Sequence, residues 1–436
     1  MMSTVMLNFQ RAQAKTLRER LDEPVRWLNI IAGPRRIGKT TLVRAVLGEH
    51  FAERCLYASV GQQSEARSIS GALDAADYVA THATEAPTEI KADAGWLIRQ
   101  WKRGRHLAER SSDPFVLAID EVQKVPRWSE TVKALWDEDR TNGLAMHVVL
   151  LGSSPLLVQR GLTESLMGRF ELIRLGHWTY PEMHTAFALS LDEYLYFGGY
   201  PEPVKEGIYR NESRWRSFVI DGLIEPSIEQ DIFDLERVDR RPLLKQLFWL
   251  ACEYSGQILA LDNMARNLRE KNEDQEGHTG TVAKYLDMLG KAGLVAGLQK
   301  YSGSMLRQRT SPPKLLAQNN ALMAVASGYD FAAAKADRSF WGRLVENAVG
   351  AHLYNSGDPG LLTYWRKGKL EVDYVLSRGQ RLTAIEVKSG NRARSMPGLH
   401  AFAATYPGCQ RLVVGENGIP LVEFLSQPTE YWLSPR

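Results

Sequence analysis

Between residues 27 and 175 the apolar positions gather into short runs, with stretches of helical spacing between them. The runs Trp27–Ala32, Cys55–Val60, Phe115–Ile119, Met146–Leu151 and Phe170–Leu175 read as strands of a parallel sheet. A strand covered on both faces has no solvent side to mark with polar residues. Lys39–Leu47 and Trp128–Asp137 carry the helical spacing, and the alternation predicts helices packed on that sheet. Residues 61–113 interrupt the scheme. They hold Gly, Pro and Thr and then a basic amphipathic segment, WLIRQWKRGRHLAER, which reads as an insertion with no assigned role.

From about 186 to 240 the pattern is helical, broken by the turn-rich GGYPEP at 198–203. Residues 242–300 predict three helices and a short apolar hairpin, with helical spacing at Leu243–Cys252, Leu259–Leu268 and Val282–Leu289. Residues 301–335, with Ser311-Pro312-Pro313, read as a connection. From Ser339 the pattern is one helix, then short alternating strands, then helix and strand. There are no internal repeats.

Composition changes little in this picture. With 436 residues the chain is too long for a single core. A net charge of +3 implies no partner by itself, although residues 335–436 hold 13 Lys/Arg against 9 Asp/Glu, a mild tilt toward a polyanion. Cys55, Cys252 and Cys409 are too far apart for a disulfide framework or a zinc site. The start of the chain has no signal-peptide pattern, and no apolar run reaches the ~20 residues of a membrane span. A reduced, cytoplasmic protein is expected.

The chemistry starts at Gly33-Pro34-Arg35-Arg36-Ile37-Gly38-Lys39-Thr40, a full match to G-x-x-x-x-G-K-[ST] with Thr41 following. An apolar strand leads in and a helix leads out. The glycines let backbone N–H groups close around the phosphates of ATP, Lys39 meets the β/γ-phosphates, and the Thr40 hydroxyl ligates Mg²⁺. Phe115–Ile119 ends in Asp120-Glu121. Asp120 is expected in the Mg²⁺ shell, and Glu121 as the catalytic base that orients and deprotonates the attacking water. Ser154, after the strand Met146–Leu151, is either a γ-phosphate contact or part of an ordinary serine turn. Arg169 is either an arginine finger acting in a neighbouring subunit or a plain surface arginine.

GPRRIGKTTL, LAIDEVQ, LLGSS, LMGRF and YFGGYPEPV occur in an order that resembles a prokaryotic family of AAA-type ATPases. Members of that family carry a C-terminal domain with PD-(D/E)xK nuclease-like features. The resemblance covers most of the chain, least well at 61–113. It implies an AAA-type α/β core over 1–185 and a helical lid over 186–241. A winged-helix module over 242–310, a linker over 311–335 and a restriction-endonuclease-like α/β domain over 336–436 follow. A hexamer would suit an AAA-type protein. The chain departs from the family at Leu316-Ala317-Gln318-Asn319-Asn320, where an aspartate is frequent.

In the winged-helix reading, residues 281–295 supply a recognition helix and the start of a wing. Lys284 and Lys291, with Arg266 and Arg269, then meet DNA phosphates; such modules also serve as protein contacts. Farther on, Leu370–Ser377 and Arg381–Lys388 form a hairpin about Gly379-Gln380. Its register sets Asp373 opposite Glu386, with Lys388 two residues on, and pairs Tyr374 with Ile385 and Val372 with Val387 on the other face. Like charges directly across a strand pair are unfavourable unless a cation bridges them. Asp373 and Glu386, with Glu346 from a helix whose Gly342 and Gly350 permit close approach, are therefore expected to bind Mg²⁺ or Mn²⁺. Lys388 would position a water, as in PD-(D/E)xK nucleases. The other reading makes these residues ordinary ion pairs in a domain without turnover.

The resulting expectation is an ATP-hydrolysing protein that binds or remodels DNA, branched DNA included, in repair, recombination or defence. The alternative is a regulatory ATPase switch that acts through protein contacts.

Overall fold

The computed structural model describes residues 9–60, 93–152, 165–233, 238–270, 279–302, 311–390 and 396–434. It divides into compact units at Leu175/Gly176, one spanning 8–175 and the other 176–436.

In the first unit the apolar runs become β1 (Leu28–Ala32), β2 (Cys55–Ser59), β3 (Phe115–Asp120), β4 (Met146–Gly152) and β5 (Phe170–Arg174). They form a parallel sheet of order β2-β3-β4-β1-β5. Every residue of β1 is buried between β4 and β5. Burying one such Leu or Ile side chain stabilises the fold by roughly 1.5–3 kcal/mol, so Ile30→Asp would break the sheet at its centre. The flanking helices are α1 (Ala12–Asp22), α2 (Lys39–His50), α3 (Ala94–Ala108) and α4 (Trp128–Thr141). The basic segment of the insertion forms α3, and its role is structural. Trp96, Leu97 and Trp101 are buried, the Trp101 indole donates to Asp139 on α4 at 2.7 Å, and Arg105 pairs with Asp139 at 2.6 Å.

The second unit opens with α5 (Tyr180–Phe187), α6 (Leu191–Phe197), α7 (Pro201–Lys205) and α8 (Glu212–Val219), followed by π-helical turns at Ile220–Ile224 and Ser227–Phe233. Next come α9 (Arg241–Glu253), α10 (Leu261–Glu270) and α11 (Thr279–Lys291), then the antiparallel pair β6 (Val295–Leu298) and β7 (Lys314–Ala317). After α12 (Asn320–Ser327), α13 (Phe331–Ala336) and α14 (Arg338–Ser356) come β8 (Leu362–Lys367), β9 (Leu370–Arg378), β10 (Arg381–Lys388), α15 (Pro397–Thr405), β11 (Gln410–Gly415), α16 (Leu421–Leu425) and α17 (Thr429–Trp432). The sheet order is β11-β10-β9-β8, parallel only between β10 and β11. Among the described residues no helix is long and apolar enough to cross a membrane.

The first compact unit ends at Leu175, within the core expected over 1–185. Two expectations change here. The linker expected over 311–335 is instead core: Leu315, Leu316, Ala317, Ala321 and Leu322 are fully buried, and β7 completes the hairpin begun by β6. Ser311-Pro312-Pro313 had suggested a break, but it only delivers the chain into β7. Finally, Val372 and Val387 do not share a face. The β9–β10 ladder follows the expected register from Arg378↔Arg381 to Tyr374↔Ile385 and its pairing stops there. Beside it the β8–β9 register shifts between Thr363 and Trp365, so that Asp373 and Tyr374 together face one residue of β8. This bulge turns Val372 toward Val375, Leu399 and Phe402, while Val387 packs with Tyr374 and Ile385 in the core on the other side.

Gln318-Asn319-Asn320 carries a buried set of hydrogen bonds. The Asn319 carbonyl oxygen accepts from Gly199 N and Ala321 N at 3.1 Å each, and its amide donates to His177 Nδ1 at 3.1 Å. Asn320 donates to Leu195 O at 2.8 Å and Leu344 O at 2.9 Å, and Asn347 exchanges bonds with Ala317 N and O at 3.1 and 2.9 Å. Gln318 donates to Gly290 O at 2.6 Å. Gly198 (φ 73°) has to be glycine, because a Cβ there would lie 1.9 Å from Asn319 Oδ1. The GGY turn and the amide run are thus parts of one packing device.

Candidate functional site

At the C-terminal edge of β1 the chain turns through Gly33–Gly38 into α2. A Cβ on Gly33 would lie 2.2 Å from Leu175 O, and Gly38 takes φ 92°; both positions require glycine. Arg36 also adopts a left-handed conformation, φ 58°. Ile37 is fully buried and anchors the loop, while Thr41 is exposed. Lys39 is buried, and its ammonium donates to Gly33 O at 2.9 Å and Pro34 O at 2.7 Å. The positive charge therefore sits inside the loop.

Parallel pairing brings β3 to the same edge, and Thr40 Oγ1 donates to Asp120 Oδ2 at 2.7 Å across 80 residues of sequence. Asp120 is buried and fully engaged. Its Oδ2 also accepts from Tyr57 OH at 2.5 Å, and its Oδ1 accepts from Glu121 N at 2.8 Å. Burial, reinforced by the Asp120 charge, pushes the Tyr57 phenol well up, so it stays a donor. Tyr57 was missed in the sequence, where it counts only as one apolar residue of β2. A hydroxyl and a carboxylate in direct contact beside a phosphate loop suit Mg²⁺, and Thr40 and Asp120 are the residues that would hold it. Glu121 leaves the strand at φ 58°, a conformation costing of order 1 kcal/mol that favours functional positions. Its Oε2 accepts from Gln123 Nε2 at 2.9 Å and lies 3.4 Å from Lys124 Nζ.

Ser154 lies outside the described residues. Arg169, read as either a finger or a plain surface arginine, is forked onto Asp137 of α4 at 2.7 and 3.0 Å. That hydrogen bonding holds the Asp137 carboxyl below its usual range. To serve a neighbour, Arg169 would first have to leave this pair.

In the second unit α14 packs closely on the sheet: Cβ atoms on Gly350 and Gly342 would lie 2.5 Å from Tyr374 and 2.9 Å from Ser389. Glu346, Asp373, Glu386 and Lys388 do come together, around a residue the sequence reading had left in a linker. Lys314 of β7 is buried, and its ammonium lies 2.8 Å from Glu346, 3.3 Å from Glu371 and 3.5 Å from Asp373. Burial alone would push the Lys314 ammonium down, but the charges of Glu346 and Asp373 overcome it and hold the group well above the usual lysine range. Burial pushes the Glu346 carboxyl up to about 7, while Lys314 pulls it back. Asp373 Oδ2 accepts from Val387 N at 2.8 Å, continuing the hairpin beyond its ladder. Lys388 contacts Glu386 Oε1 at 2.5 Å, and Glu386 Oε2 is buried with no hydrogen-bond partner.

The expected metal set of Glu346, Asp373 and Glu386 is therefore corrected. Among the described residues no group of three or more His, Cys, Asp or Glu is arranged to hold a metal ion. The repulsion between the carboxylates is relieved by lysine. No signal in the sequence marked Lys314, because its partners lie 32 or more residues away and its neighbours are apolar.

On α11, Lys284, Asp287 and Lys291 are exposed, and Lys291 pairs with Asp287 at 2.7 Å. Arg266 is exposed on α10, and the side chain of Arg269 lies outside the described residues.

The first unit is, by fold and site, a P-loop domain built on a parallel sheet. Residues 26–184 match a family model described as an AAA domain, and residues 188–332 and 341–423 match two models described as domains of unknown function. Among solved structures the chain is similar to the Walker-type ATPase of Pyrococcus abyssi at 18% identity and a TM-score of 0.45, over 73% of this chain and 96% of that one. It is similar to the ORC2 protein of Aeropyrum pernix at 14% identity and a TM-score of 0.44, over 73% and 93%. The RuvB Holliday junction branch migration motor of Thermotoga maritima gives 15% identity and a TM-score of 0.32, over 66% and 89%. No curated protein matches the chain.

Proposed function

We propose that the chain is a Mg²⁺-dependent ATPase that engages DNA, with a nuclease-like C-terminal sheet that does not turn over. The contact between Thr40 Oγ1 and Asp120 Oδ2 carries the ATPase reading, since it joins the phosphate loop to the acidic strand end. When bound, Mg²⁺ would screen the phosphate charge. Lys39 binds the β/γ-phosphates, Tyr57 and Thr40 orient Asp120, and Glu121 accepts the proton of the attacking water. Assembly into an oligomer such as a hexamer belongs to the same reading, as does cytoplasmic location.

For DNA the support is the α9–α11 arrangement closed by the β6–β7 pair, which has the order of a winged helix, with Lys284 and Lys291 on the exposed side of α11. The intervening sequence adds Lys300, Arg307 and Arg309. One observation favours the second reading, a switch acting through protein contacts. Asp287 stands between the two lysines and neutralises Lys291. The test is ATPase rate and binding on single-stranded, duplex and branched DNA across a salt series. The DNA reading expects stimulation, and binding that weakens with salt through counterion release; Lys284→Ala with Lys291→Ala should flatten that slope. ATPase activity without salt-dependent DNA binding would leave the protein-contact reading.

A further inference from the structure

We propose that the carboxylate centre of Glu346, Glu371, Asp373 and Glu386 is a latent divalent-cation site whose resident cation is the Lys314 ammonium. An ammonium offers three N–H donors, and three carboxylates lie within 3.5 Å of this one nitrogen, which is almost wholly shielded from water. The ammonium thus stands where a metal would be shared. It is an incomplete substitute. Among the described residues four carboxyl groups share two ammonium groups, Lys314 and Lys388, so with all four ionised the acids would exceed the cations by two, and burial pushes Glu346 up to about 7. Glu386, within electrostatic reach of Asp373 and Lys314, keeps its Oε2 buried and without a hydrogen-bond partner. A divalent ion in place of the ammonium would supply the second charge and a partner for that oxygen. Tyr374, whose ring centroid lies 5.1 Å from the Lys314 nitrogen, completes the wall around the charge.

The lysine also links elements. It comes from β7, the strand that pairs with β6, and it reaches α14 and β9 at once. While β7 stays in place the centre has its cation and no vacancy for Mg²⁺. This makes the second unit metal-independent in the form described and accounts for a nuclease-like residue set without turnover.

The experiment uses the full chain without nucleotide and Mn²⁺ alone as probe, read by electron paramagnetic resonance and thermal unfolding. Each background is compared with its Asp373→Asn partner, which subtracts binding at the P-loop. The wild type should show no Asp373-dependent Mn²⁺ binding and no shift in Tm. Lys314→Met should gain one Asp373-dependent Mn²⁺ and a rise of roughly 5 °C in Tm at saturating metal. Because Lys314→Met leaves buried carboxylates unneutralised, Lys314→Met with Glu371→Gln is tested alongside, with one charge fewer. Asp373-dependent Mn²⁺ binding by the wild type would overturn the proposal. So would its absence from both variants, whether or not they fold.

Discussion

Lys39 and Lys314 are both buried ammonium groups, at 7% and 1% exposure, and they differ in what holds them. Lys39 has backbone carbonyls of its own loop, Gly33 O and Pro34 O, among its hydrogen-bond acceptors. Lys314 is held by carboxylates that already balance it. Burial strengthens the electrostatics of both sites; under the proposed function the first meets a phosphate, while the second is closed by carboxylates of its own chain. In that reading the same residue type at similar depth binds a ligand in one place and fastens elements together in the other.

The comparison is sharpest in variants that separate activity from stability. Lys39→Met should lower ATP turnover by at least about a hundredfold while changing Tm little, as measured by phosphate release and calorimetry. Glu121→Gln should keep nucleotide affinity and lower turnover by about 10²–10⁴-fold, since only the proton acceptor is lost; undiminished turnover would place the base elsewhere. Lys314→Met without metal should do the reverse of Lys39→Met. It should destabilise its unit by about 3–5 kcal/mol, the cost of leaving buried charge unpaired, with ATPase activity retained where the chain stays folded. A large loss of stability in Lys39→Met, or none in Lys314→Met, would break the distinction.

A buried group on which burial and the like charges of Arg140 and Arg54 outweigh Asp22 gives a third case. Burial pushes His147 on β4 down to about 4 from 6.5, so the folded unit binds fewer protons than the unfolded chain between those values. Its stability is fully present above about pH 6.5 and falls as pH drops toward 4, by about 3 kcal/mol in all. His147→Leu should flatten this part of the pH–stability curve for the first unit; an unchanged slope would show that carboxylates account for it. The smallest effect is expected at Arg169 and Asp137. As a surface pair it contributes at most about 1 kcal/mol, and Arg169→Ala and Asp137→Asn should change stability alike and leave turnover untouched. Loss of turnover in Arg169→Ala alone, rescued by mixing with Lys39→Ala chains, would restore the finger.

The sequence reading succeeded where the determinants are contiguous. The P-loop is eight adjacent residues, and β3 announces its acidic end in the same run that forms the strand. The hairpin register was legible from Gly379-Gln380 as far as Tyr374 and Ile385, because a two-residue loop fixes the pairing nearest to it. It failed beyond, since a bulge depends on β8 packing alongside and leaves no mark on β9. Lys314 was invisible for a related reason. Its meaning lies in Glu346 and Asp373, which the chain reaches only in α14 and β9, while the prolines before it resemble a linker. Arg169 stayed open between a finger and a surface arginine because motif order points to catalysis, whereas its partner on α4 is set by packing.

The amide run Gln318-Asn319-Asn320 has a practical consequence for dissecting this protein. Its bonds reach Leu195 and Gly199 on one side and Leu344 on the other, with Asn347 joining from α14, across the gap between the segments 188–332 and 341–423. Cutting the chain near 335 would strand several buried donors and acceptors at about 1–3 kcal/mol each. Neither fragment should be expressible in native form, and amide hydrogen exchange should show α6, α12 and α14 opening together. What sequence comparison parses as separate modules is, by this network, one cooperative foldon.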